Sequence, residues 1–392
     1  MANKAYITAK VLKWARESAK MTEEVAASKV AVSIDRLKAW ENGDAFPSIS
    51  QAQKLAKAYR RPFALFFLPD VPNDFQPLQD FRKAGSKELS TSSVFIIREI
   101  RQKQAWISEV NRENNENKAP FVGRFSLKDN PQIIAKDILK ELNINPLNYK
   151  NSNPILEWIE KGEAQGIFIS RTSFIHSRLK LDSSEIQGFA IADNYAPFVF
   201  INSDDWNAPQ LFTLVHELAH LWIAETGISN EIEPTPSKTK DFNPIELFCN
   251  EVAANALMPD EFIEALDSKV FINAKEVFST AKKIGVSSFA LLVRALNLNV
   301  ISLSTYRDLK HFVDVEFKEF LKREEERKIK QKQKEKPGGP NYFLLQVNRN
   351  SRLFTQTVLD AFRGGVIEPT MASNLLNVQV NKFSKLEAQM HR

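Results

Sequence analysis

The chain has 392 residues, too many for one ordinary core and enough for two or three domains. Its 43% hydrophobic and 26% charged residues exclude a wholly disordered chain, and a surplus of 53 Lys and Arg over 48 Asp and Glu permits a local nucleic-acid patch without arguing for one. A single cysteine, Cys249, excludes an internal disulfide framework, and with no leader-like start and no long apolar run the chain is expected to be cytoplasmic and free of membrane.

Residues from about 7 to 68 alternate short apolar runs with polar turns, as short packed helices do. Within them, Thr22 to Gly43 reads as a helix, a turn at Ala31-Val32-Ser33 and a second helix capped by Ser33, the layout of a helix-turn-helix whose second helix enters a DNA groove. Ala26, Ala27, Val30, Val32, Leu37 and Trp40 form its expected core, and Ser33, Arg36 and Lys38 are the candidate contacts to double-stranded DNA. Glu23 and Asp35 oppose phosphate, so a protein-interaction or dimerisation role, with a homodimer as one outcome, stands beside DNA binding. This domain is assigned residues 1–70.

The Pro-rich stretch Pro69 to Pro77 opens a linker and helical connection over 71–125, which includes a helix from Val94 to about Asn111 and precedes a companion helix from Pro131 to Leu142. From Gly166 the texture changes to short β-branched and aromatic runs, GIFIS, IQGFAIA and APFVFIN, read as strands of a small sheet. Two helices follow, LFTLVHELAHLWI and IELFCNEVAANAL, the second stopped by Met258 and Pro259. Residues 276–305 are expected to form a further helical packing unit. The fold class is therefore α+β. A charged linker at 321–340, ending in PGGP, separates the 126–320 domain from a small helical C-terminal domain at 341–392.

The strongest chemical signal is His216-Glu217-Leu218-Ala219-His220, an H-E-x-x-H inside an apolar-periodic helix. Residues four apart share a helix face, so both imidazoles can reach one ion, and Zn2+ suits imidazole nitrogen. Glu217 falls beside the ion, where a carboxylate can take a proton from water and return it to a leaving amine. The second helix offers a third ligand in Glu246 or Glu251, and Asn250, one turn after Glu246, can orient a ligand by hydrogen bonding. Cys249 reads as a packed thiol, and His176 as an ordinary surface or core histidine before any oxyanion contact.

The pair F-T-L-V-H-E-L-A-H-L and I-E-x-x-C-N-x-V-A-A-x-x-L-M-P resembles bacterial ImmA/IrrE-type metallopeptidases, over about residues 130 to 265. The resemblance makes Glu246 the third zinc ligand and implies a zinc metallo-endopeptidase whose substrate is a regulatory protein such as a repressor or antitoxin. Asn255-Ala256 departs from the larger apolar residue usual before L-M-P, which bears on packing rather than ligands. The N-terminal stretch, with W-E-N-G and P-S-I-S-Q-A-Q-K-L-A-K-A, resembles XRE-family repressors. Two rivals follow: a DNA-binding repressor or antitoxin whose zinc fold is a non-catalytic sensing or docking platform, and a pure interaction protein.

Overall fold

After α1 (Ala9–Ser18), the N-terminal helices begin where a side-chain oxygen can accept an otherwise unpaired amide. Thr22 accepts from Val25 ahead of α2 (Glu23–Val30), Ser33 from Arg36 ahead of α3 (Ile34–Asn42), and Ser48 forms a reciprocal capping box with Gln51 at α4 (Ile49–Ala58). Ala31 ends α2 in the left-handed region at φ 56°, which makes the sharp turn between α2 and α3. Ala26, Ala27, Val30, Leu37 and Trp40 are buried as expected, whereas Val32 is only half-buried.

A computed structural model describes residues 3–73, 78–82, 86–176, 179–230, 243–334 and 341–390, without the side chains of 324, 325 and 327–334. The chain divides into two units: Met1–Pro77, Lys87–Gln102 and Phe174–Leu181 form the first, and Leu78–Ser86, Lys103–Ser173 and Asp182–Arg392 the second. Helix α5 (Thr91–Glu113) contributes its first half to one unit and the rest to the other.

The second unit is built on a five-stranded mixed sheet. Its strands are β1 (Gln79–Asp80), β2 (Phe168–Thr172), β5 (Gly188–Ile191), β6 (Phe198–Asn202) and β7 (Gly227–Ser229), in the order β1-β7-β5-β6-β2. The β1–β7 and β2–β6 pairs are parallel, and β5 runs antiparallel to both its neighbours. Strands β3 (Phe174–His176) and β4 (Leu179–Lys180) form a separate hairpin in the first unit. The three sequence-predicted strands are present, whereas the two-residue β1, the three-residue β7 and the hairpin are additions.

Helices α6 (Pro131–Glu141), α7 (Pro154–Ala164), α8 (Asn207–Trp222) and α9 (Pro244–Leu257) supply the core on one sheet face. Helix α8 packs on β5 and β6, and α6 packs against α8 and α9, not against α5 as its neighbour in sequence. Every residue of β5, β6 and β7 is buried, the pattern of strands covered on both faces.

Beyond α9 come α10 (Asp260–Glu264), α11 (Ala274–Ile284), α12 (Ser288–Asn297) and α13 (Leu303–Lys334). The charge-dense run after residue 321 continues α13 to Lys334, while the PGGP segment lies outside the described residues. The chain ends in α14 (Tyr342–Asn350), α15 (Arg352–Arg363), α16 (Pro369–Leu376) and α17 (Phe383–Met390). Helices α14 and α15 pack on β2, where the Ser170 hydroxyl donates to the Arg349 carbonyl. Among the described residues, no helix is long and apolar enough to cross a membrane.

Candidate metal centre

Helix α8 is buried from Gln210 to Trp222, so its motif side chains are fixed by packing as much as by backbone geometry. His216, Glu217 and His220 have no solvent exposure, and Glu246 on α9 has 3%. The Nε2 atoms of His216 and His220 lie 3.1 Å apart, and the Glu246 carboxylate is 3.3 Å from the first and 3.2 Å from the second. Glu251 is exposed and takes no part.

These three are the group of side chains among the described residues whose ligand atoms could hold one metal ion, all lying within 4.8 Å of one another. Tetrahedral Zn2+ with bonds of about 2.0–2.1 Å places its ligand atoms about 3.3–3.4 Å apart. The three observed separations are close to that edge length, and two imidazoles with a carboxylate form a donor set suited to zinc.

Asn250 fixes the orientation of one ring. Its Oδ1 lies 2.9 Å from His216 Nδ1, so that nitrogen carries the hydrogen and the Nε2 lone pair faces the cluster. His220 is positioned differently: Phe81 stacks on its ring at 5.4 Å between centroids and 6° between planes, and His220 Nδ1 has no partner among the described residues. The Ser229 hydroxyl donates to Glu246 Oε1 at 3.2 Å.

Glu217 stands beside the ligand group rather than in it, and neither of its oxygens finds a hydrogen-bond partner of normal geometry. Burial, aided by the Glu246 charge and opposed by the Ser229 hydroxyl, pushes Glu217 well above the usual carboxylate range. Burial also acts to raise Glu246, but the charges and hydrogen bonds of the two histidines outweigh it and hold that carboxyl at about 2. Burial lowers His220. Two carboxyls in one buried site are thus driven in opposite directions.

The sheet explains this proximity. Gly188 on β5 pairs with Ser229 on β7, and a Cβ on Gly188 would lie 2.8 Å from both Glu217 Oε1 and Thr213 Cγ2. Glycine inside a strand marks such an approach, so Gly188 was readable from IQGFAIA in a way that Phe81 and Ser229 were not. Cys249 is fully buried with its thiol pushed well up, as a packed residue, and His176 is exposed on β3. Asn255 accepts a 2.6 Å hydrogen bond from Arg294, which gives a buried polar partner to the residue that departs from the apolar pattern.

In the first unit, Ser33 spends its hydroxyl on the cap of α3, Arg36 is exposed, and Lys38 pairs with Glu23 at 3.1 Å. The carboxylate expected to repel phosphate is thus partly neutralised within the module, and the same contact engages one of the candidate cations. A feature absent from the sequence reading is the buried Arg16–Glu41 pair, two parallel hydrogen bonds of 2.8 Å that join α1 to α3.

No curated protein matches the chain. Residues 163–296 match the peptidase family model described as the IrrE N-terminal-like domain, and residues 12–66 match the model described as helix-turn-helix.

Proposed function

We propose that this fusion of a helix-turn-helix domain with an IrrE-type metallopeptidase-family domain is a zinc-dependent endopeptidase that cleaves or inactivates a regulatory protein. The observation that carries the reading is the convergence of His216, His220 and Glu246 at ligand-to-ligand spacing, with the unpaired Glu217 carboxylate beside them. The three would hold Zn2+. When bound, that ion supplies Lewis acidity for polarising a carbonyl and acidifying water. Glu217 is the base: its desolvated carboxylate gains more from accepting a proton than an exposed one does, and it can then donate that proton to the leaving nitrogen. Asn250 keeps the His216 tautomer that offers Nε2, and Ser229 donates to Glu246 Oε1.

The exposed Arg36 at the front of α3 would meet duplex DNA, with the exposed Ser33 and Lys38 as further candidate contacts, so the module would bring the peptidase to an operator or to a DNA-bound partner. Full burial of the four metal-centre residues favours one alternative, a DNA-binding regulator that uses the domain as a zinc-dependent docking platform without cleavage.

The deciding experiment measures zinc content and cleavage together, against regulators encoded beside this gene. The wild type should carry about one zinc per chain, and Glu217→Gln should keep the zinc while losing cleavage. Zinc-free protein of normal fold refutes the metal centre, and cleavage undiminished in Glu217→Gln refutes the assigned base.

A further inference from the structure

Closure of the metal centre is the feature that a peptidase must undo, and the residues that close it include a segment with no other evident role. Strand β1 adds to the outer edge of β7 through the pairs Gln79–Gly227 and Asp80–Ile228, and Phe81 N–H donates to the Ile228 carbonyl at 3.1 Å. Phe81, 1% exposed, lies with its ring face against His220 and over Gly227. A Cβ on Gly227 would overlap that ring and come within 2.8 Å of the Gln79 carbonyl, so the cavity exists because position 227 has no side chain.

The same β7 continues to Ser229, whose hydroxyl touches the proposed ligand Glu246. An added strand on this edge therefore runs beside the metal centre. Sheet edges present unpaired amides and carbonyls that take up an extended segment, and alternate side chains of that segment then select a pocket. Here a two-residue strand occupies the edge, well short of the usual five or six. Next to it, Arg82 pairs with Asp80 through two hydrogen bonds of 2.8 and 2.7 Å.

We propose that the edge of β7 and the cavity over Gly227 form the docking site for an extended protein substrate bearing an aromatic or large aliphatic side chain, and that residues 78–82 occupy it in cis. The proposal rests on the peptidase reading above and adds to it a substrate feature and a built-in block. Departure of β1 exposes the unpaired edge and removes the ring from His220. A substrate segment restores both contacts.

The test uses the full chain loaded with zinc, with the rate of zinc transfer to a chromophoric chelator and the cleavage of unfolded casein as separate readouts. Phe81→Ala removes the ring, and Gly227→Ala expels it by filling the space, so opposite volume changes should act alike. Both are expected to accelerate zinc transfer at least about tenfold, the effect of a closure weakened by one decade in its equilibrium, and to raise casein cleavage. A synthetic peptide of residues 78–86 should slow transfer and cleavage in Phe81→Ala, while the same peptide with alanine at the phenylalanine position should not; simple unfolding would not respond in this way. Transfer rates unchanged in both variants, or indifference to the peptide, overturn the proposal. Equal cleavage by all three proteins with unchanged transfer removes the block and leaves the peptidase reading standing. Accelerated transfer without cleavage by any of them, of casein or of the regulators encoded beside this gene, refutes the peptidase reading and leaves only the closure.

Discussion

Replacing Asn250 with alanine tests the centre through a residue outside the proposed ligand set. The side chain is 7% exposed, and its Oδ1 lies 2.9 Å from His216 Nδ1 in a region where His216 itself has no solvent contact. Once Nε2 is committed to a metal, Nδ1–H has to point where Asn250 was, and a buried donor without an acceptor costs about 1–3 kcal/mol. In the metal-free chain the ring can turn to relieve part of that cost, so most of it falls on the bound state. The expected loss of zinc affinity is roughly ten- to a hundredfold, the range seen for partners that orient ligating histidines. Competition against a chromophoric zinc chelator measures it, with circular dichroism confirming the fold. Asn250→Asp keeps an acceptor and should lose less. Zinc affinity in Asn250→Ala within about threefold of wild type would refute the argument that this hydrogen bond sets the tautomer.

Three further outcomes follow from other contacts. Glu41→Ala removes the two-bond partner of the buried Arg16 guanidinium, leaving it the Met21 carbonyl at 3.1 Å and Glu17 and Glu23 at 3.8 Å, and should destabilise the helix-turn-helix unit by about 1.5–3 kcal/mol, read from its own denaturation transition; a loss below about 0.5 kcal/mol would mean the pair is solvated in practice. Gly188→Ala places a methyl against Glu217 and Thr213, and should depress cleavage strongly while zinc content stays near one per chain, as measured by elemental analysis alongside the casein assay. Glu163, pushed up by burial despite hydrogen bonds from Ser351, Arg352 and Leu353, binds protons more readily folded than unfolded, so ionisation weakens the fold as pH rises through its folded pKa. Glu163→Gln should therefore stabilise the second unit at pH 7 and lose that advantage below the ordinary carboxylate range, and thermal melts showing the same difference at both pH values would contradict the shift.

What could be read in advance divides along the range of the interactions. The H-E-x-x-H pair is local, since helical spacing alone puts His216 and His220 on one face. The third ligand needed one step more. Glu246 and Glu251 sit five residues apart, so they cannot share a face, and between them only 246, 249 and 250 are buried, which shows which side of the first half of α9 turns inward. That periodicity is present in the sequence, although it needs the packing partner to become decisive. The closure by Phe81 is of another kind: β1 pairs with a strand about 150 residues away (227 minus 79), after a proline-rich stretch that gives no strand signal of its own. Nor does local reading place α14 on β2 or pair Arg16 with Glu41, because both depend on which apolar faces meet.

The electrostatics of the buried cluster connect the fold to the proposed chemistry. In this buried cluster of two carboxyls and two imidazoles, burial and the Glu246 charge push Glu217 up while the two histidines hold Glu246 down, and buried charges of this kind call for a compensating partner. A dication among His216, His220 and Glu246 supplies the missing positive charge and reverses the pressure on its neighbours, drawing Glu217 toward the ionised form that a base requires. The same burial leaves His216, Glu217 and His220 with no surface for a polypeptide to reach. If this centre cleaves a polypeptide, a part of its border has to leave, and the two-residue β1, which pairs with β7 at two positions and sets one ring over a glycine, is a short element with few contacts to break.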